Sequence, residues 1–140
     1  MSIQQLAGLS EEEKARKRLY ELLTLQKKVE QQFGTQGYNI FVFGSYVTTS
    51  FAEGKSDIDI AIYTEDFHLY QNLALYLEEY FQQKGIGSDI FYIDTAIEAP
   101  IYCAPINAKI QFTDYFPEKL ADFQKKCQKK LEDIKGRMAG

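Results

Sequence analysis

The sequence predicts an α+β domain with layers of the α/β type, a small mixed β-sheet with helices packed on it. Three observations carry that prediction. Runs rich in β-branched and aromatic residues at 38–43, 57–63, 89–94 and 109–112 read as strands. Longer stretches at 10–33, 67–84 and 117–135 repeat their apolar residues with a helical period. The two kinds are interleaved as helix, strand, strand, helix, strand, strand, helix, an order that suits helices laid against a mixed sheet.

Each element has a local reason. Ser10-Glu11-Glu12-Glu13 forms a capping box, in which the Ser10 side chain accepts the third helical amide and Glu13 reaches back to the cap. The helix it opens runs to about Phe33, with Leu19, Leu22, Leu23, Val29 and Phe33 as the expected buried face, and Gly34 and Gly37 end it. Tyr38–Phe43 is the first strand, closed by Gly44, and residues 45–51 are expected to form a short helix that begins at Ser45. Glu53-Gly54-Lys55-Ser56 is a turn into the second strand. Asp66 caps a helix over 67–84 whose stripe is Leu69, Leu73, Tyr76, Leu77, Tyr80 and Phe81, and Gly85 is its stop. Residues 89–94 form the third strand. Pro100 and Pro105 interrupt 95–107, which leaves room for a short helix between them. After an edge strand at 109–112, Pro117 starts the last helix, with Leu120, Phe123, Cys127, Leu131 and Ile134 on one face and Gly136 as its end.

A chain of 140 residues with 45% apolar residues is long enough for one core, so residues 1–140 are expected to be a single domain with 1–9 loose. The net charge of −4 argues against a general nucleic-acid binder, whose affinity rests on clustered Lys and Arg. No apolar run approaches the ~18 residues of a membrane span. The first residues lack the apolar core of a secretion signal. A cytoplasmic protein is therefore expected, with Cys103 and Cys127 as reduced, small apolar residues. His68 reads as a surface or capping residue, and Lys125, Lys126, Lys129 and Lys130 as the solvated face of the last helix.

Chemistry concentrates between Tyr38 and Tyr63. Side chains alternate along a strand, so Asp57 and Asp59 share one face while Ile58, Ile60 and Ile62 take the other. Two such carboxylates lie roughly 6.5 Å apart along the strand and need an electropositive group between them. Gly44 lets the backbone approach a ligand, and the turn at Ser45 can offer amides to an anion. Beside a phosphate-type turn, the electropositive group is best supplied by magnesium.

A hydrophobic strand ending in Gly44-Ser45, eleven residues, then Asp57-Ile58-Asp59-Ile60 resembles the signature of the nucleotidyltransferase (DNA polymerase beta-like) superfamily. In size the chain is similar to the minimal members, the antitoxins of HEPN/MNT toxin–antitoxin pairs. The resemblance implies the nucleotidyltransferase fold over nearly the whole chain. It implies that Asp57 and Asp59 hold magnesium on the triphosphate of ATP or another nucleoside triphosphate, and that Gly44 and Ser45 cradle its phosphates. It also implies a third carboxylate at the start of the third strand, matched by Asp89, as metal ligand or general base. By strand parity Asp94 then faces the other way. The implied reaction transfers a nucleoside monophosphate to an acceptor hydroxyl, such as a Tyr of a HEPN toxin or a small molecule like an antibiotic. A non-catalytic antitoxin of the same fold is the alternative. Minimal members often carry an Arg shortly after Gly-Ser, where this chain has Tyr46-Val47-Thr48-Thr49. The stripe of the last helix and exposed Ile101, Tyr102 and Ile106 are the expected surface for a helical partner protein.

Overall fold

The computed structural model describes residues 9–52, 54–97, 99–108 and 110–139. The expectation of a loose segment at 1–9 therefore falls, except for its last residue, outside the described residues, as do Glu53 of the predicted turn and Lys109 at the predicted start of the edge strand.

Helix α1 spans Glu11–Phe33, and Ser10 caps it through its hydroxyl, which accepts from the Glu13 amide at 3.1 Å. Strands β1 (Tyr38–Phe43) and β2 (Ile58–Thr64) form an antiparallel pair. Helix α2 (Phe67–Gln83) starts at Asp66, whose carboxylate accepts from the amides of His68 and Leu69. It crosses over to β3 (Ser88–Tyr92), which runs parallel to β2. A short helix α3 (Pro100–Cys103) and a 3-10 turn (Ala104–Asn107) lead to β4 (Ile110–Phe112), antiparallel to β1. Helix α4 covers Glu118–Ala139. The sheet order is β3-β2-β1-β4, and the architecture is α+β with the mixed sheet the sequence predicts.

The pleat divides the core. Ile40, Val42, Ile58, Ile60 and Ile62 are buried with Leu22, Leu25 and Val29 of α1 and Leu73, Leu77 and Phe81 of α2. On the other face Phe41, Ala61 and Tyr63 are buried with Cys103 and Ile106 and with Leu120, Phe123 and Cys127 of α4. Asn39 is fully buried on β1, where its amide group donates to the Tyr115 carbonyl and its oxygen accepts from the Tyr115 amide at 2.8 Å. That pair of bonds ties the lead-in of α4 to the sheet. No described helix is long and apolar enough to cross a membrane.

Four expectations are corrected. Gly136 does not end α4, which continues to Ala139. A glycine stops a helix by taking positive φ, and Gly136 is not among the glycines that do. Leu23 is 57% exposed, because the inward face of α1 is Arg18, Leu22, Leu25 and Val29. Ile106 is buried among the residues under α4, so of the three expected exposed side chains only Ile101, at 63%, stands fully out. Cys103 and Cys127 are not reduced thiols but a disulfide joining α3 to α4, with Cα atoms 5.2 Å apart. Packing both helices on one sheet face brings together residues 24 apart in sequence, a proximity that spacing does not show.

Candidate active site

The site lies at one edge of the sheet, where β1 ends and β2 and β3 begin. Antiparallel pairing sets Phe43, the last residue of β1, opposite Asp59. Parallel pairing sets Asp89 on the other side of Asp59. In-register neighbours on a pleated sheet point to the same face, so Asp59 and Asp89 project together. Asp57 stands just before β2, next to Gly87 just before β3. The alternation read from sequence holds, with Ile58, Ile60 and Ile62 inaccessible to solvent and Asp59 half-buried on the opposite face.

Asp94 lies past the end of β3, where its carboxylate accepts from the Ala96 amide at 2.9 Å. It belongs to a turn at the far end of the strand from Asp59.

The turn after β1 differs from expectation. The predicted short helix at 45–51 is a single 3-10 turn at Gly44–Val47, and Thr48 returns its amide to the Ser45 carbonyl at 3.0 Å. Buried Tyr46 draws the chain down into the core against Phe51 and Phe81, and so cuts the helix short. Gly44 has φ +75, open to glycine at little cost. A Cβ at Gly44 would also overlap Asp59 Oδ2 and lie 3.1 Å from its Cγ, so the turn sits directly against the carboxylate.

Burial raises the pKa of Asp59 above the ordinary carboxylate value, and the charges of Asp89 and then Asp57 raise it further. Among the described residues no ion pair offsets these three charges. The set consists of hard oxygen donors repelling one another, which is the donor chemistry magnesium takes. As they stand, no three such side chains among the described residues are drawn close enough to hold a metal ion unaided. Magnesium sites commonly combine one or two carboxylates with substrate phosphates, so the residues present fit the ion together with a nucleotide.

Asp59 and Asp89 open onto a cleft of about 340 Å³ walled by Phe43, Ile90, Phe91, Ile101 and Tyr102. Phe91 meets Phe43 and Tyr102 edge to face, at 5.8 and 6.0 Å between ring centres. A larger hollow of about 680 Å³ lies at the opposite end of the sheet, between Gly37 and Pro117, and touches none of the carboxylates of the site.

A motif model of the family described as the nucleotidyltransferase domain matches residues 22–136, which include Gly44, Ser45, Asp57, Asp59, Gly87 and Asp89. The chain belongs to that family. No curated protein matches this nucleotidyltransferase domain. Among solved structures it is similar to one described as a mutant of the toxin–antitoxin MntA–HpeT, at 17% identity and a TM-score of 0.45, over 81% of this chain and 88% of that one.

Two residues of the nucleotidyltransferase edge escape a reading of motifs. Gly87 is one. Arg18 of α1 is the other: it is buried, its Nε donates to the Tyr46 carbonyl at 3.0 Å, and an Nη donates to the Thr48 carbonyl at 2.8 Å. Its guanidinium also lies 5.0 Å from the centre of the Phe51 ring. Arg18 therefore braces the Gly44–Val47 turn from behind. The available signal was its place at 18 in the series 18, 22, 25, 29, where a charged residue on the buried face of a helix needs a polar partner.

Proposed function

We propose that this nucleotidyltransferase domain transfers a nucleoside monophosphate, AMP from ATP foremost, to an acceptor hydroxyl. The observation that carries the reading is the pairing of Asp59 with Asp89 across β2 and β3, with Asp57 just before β2 and the Gly44–Ser45 turn against Asp59. Asp57 and Asp59 would hold magnesium, with Asp89 as a further ligand or as the general base, and the bound ion would offset negative charge on the phosphates. The Ser45 hydroxyl and the amides of its turn would bind the outer phosphates. The acceptor oxygen forms a bond to the α-phosphorus while the bond from that phosphorus to its bridging oxygen breaks, and pyrophosphate leaves. Asp89 is exposed at the mouth of the cleft, where it can take the hydroxyl proton.

The acceptor we favour is a Tyr of a HEPN-type toxin, which makes the protein an antitoxin. Exposed Ile101 and half-buried Tyr102 beside the cleft give an approaching protein apolar surface to meet. A small-molecule hydroxyl, as on an antibiotic, is the other acceptor class. One observation favours a non-catalytic antitoxin instead: the run Tyr46-Val47-Thr48-Thr49 supplies no cation to the phosphates, and Tyr46 is turned into the core.

Transfer of label from ATP carrying a radioactive α-phosphate to a co-expressed helical partner tests the reading, alongside calorimetric binding of magnesium–ATP. Asp57→Asn and Asp59→Asn are expected to lose binding with the fold intact. Asp89→Ala is expected to lose transfer yet keep binding, and Asp94→Ala to keep both. Undiminished binding in both Asn variants would remove the site assignment, and binding without transfer to any partner would leave the non-catalytic antitoxin.

A further inference from the structure

Three glycines near this edge have different physical reasons. Gly85 has φ +74 and open space around the position of a Cβ, so it is there for the backbone, where the chain leaves α2. Gly44 needs both its φ and its space. Gly87 is the reverse of Gly85. Its φ is not positive, so it is not held there by the left-handed backbone that favours glycine. A Cβ there, however, would overlap Asp57 Oδ1 and stand 3.1 Å from Asp57 Cγ and 3.7 Å from Oδ2.

Neither side can withdraw as a unit. The Gly87 carbonyl accepts from the Ile58 amide at 2.9 Å, so the backbone beside Asp57 is bonded to Gly87. Ile58 is itself locked in the core with no exposed surface. The part free to move is the Asp57 carboxylate, by turning about its own side-chain bonds.

We propose that Gly87 is a positioning residue of the transfer site: its missing side chain is the seat that fixes the Asp57 carboxylate for magnesium and nucleotide. The inference rests on the proposed nucleotidyl transfer and adds to it a residue that never touches the nucleotide. A Cβ at 87 would be accommodated cheaply by the fold, since the obstructing atoms end a flexible side chain, but the carboxylate would leave its place.

The test is a double-mutant cycle over Gly87→Ala and Asp57→Ala, read as magnesium–ATP affinity by calorimetry and as melting temperature. Gly87→Ala is expected to weaken binding about ten-fold or more, the usual scale for a group that orients a metal ligand. In the Asp57→Ala background, where binding is already lost, the same substitution is expected to leave the melting temperature unchanged, because the obstructed group is gone. Wild-type affinity in Gly87→Ala would overturn the proposal, and so would an equal fall in melting temperature in both backgrounds, which would show a cost to the fold that is independent of Asp57. Should Gly87→Ala fail to fold, the double variant is expected to fold, and its failure would also overturn the proposal. If Asp57→Ala alone binds magnesium–ATP as the wild type does, the site assignment itself fails. Loss in Asp57→Ala without loss in Gly87→Ala sinks only the role of Gly87.

Discussion

Opening the Cys103–Cys127 disulfide is expected to lower the melting temperature by about 12 °C, a figure that follows from loop length and chain size. The bridge closes a loop with a sequence separation of 24. Chain-entropy arguments give such a loop about 3.5 kcal/mol at 25 °C, within the usual range for a native bridge. A chain of 140 residues unfolds with an entropy of about 0.29 kcal/mol/K at about 2.1 cal/mol/K per residue. Dividing the first by the second gives about 12 °C. Differential scanning calorimetry with and without a phosphine reductant reads this directly. A Cys103→Ala/Cys127→Ala variant is expected to melt near the reduced protein and to ignore the reductant. Equal melting temperatures for the oxidised and reduced wild type would refute the reasoning. The bridge also bears on the site, since α3 carries Ile101 and Tyr102 on one wall of the cleft and Cys103 anchors it to α4.

Two further outcomes are expected. The Asp59 carboxyl binds its proton more tightly folded than unfolded, because of burial and then the charges of Asp89 and Asp57. Its ionisation therefore penalises the metal-free fold, and the penalty grows as pH rises from the unfolded carboxylate value through the raised folded one. Asp59→Asn should melt above the metal-free wild type at pH 7, with the gap narrowing toward pH 4. A gap that widens on acidification would contradict the sign. Arg18→Met is expected to cost about 3 kcal/mol, the scale of losing two hydrogen bonds from a charged group buried in the fold. Arg18→Lys should recover little of it, since one ammonium cannot reproduce a fork reaching both Tyr46 and Thr48. Urea unfolding measures both, and full recovery in the Lys variant would show that charge alone matters at this position.

Much of the molecule was legible in the sequence because its cause is local. The Ser10 box and the Asp66 cap place helix starts through bonds to amides two or three residues away. Alternation along β2 sends Ile58, Ile60 and Ile62 inward and leaves Asp59 on the other face, which needs only the period of a strand. The nucleotidyltransferase family followed from Gly44-Ser45 and Asp57-Ile58-Asp59, which keep a fixed order along the chain.

Only the tertiary structure decided what depends on register and on elements remote in sequence. That Asp89 stands beside Asp59 is a property of the parallel pairing of β2 with β3, and a slip of one residue would turn it to the other face. The turn at 45–51 looked helical, but the burial of Tyr46 and the reach of Arg18 across from α1 outweigh a weak local preference. Gly136 carried the sign of a helix end, yet its backbone keeps helical bonding because nothing turns the chain there. The disulfide and the Gly87–Asp57 contact have no signature in spacing at all. Each is a meeting of two segments that touch only because both pack on the same sheet, and contact between remote residues is what a one-dimensional pattern leaves out.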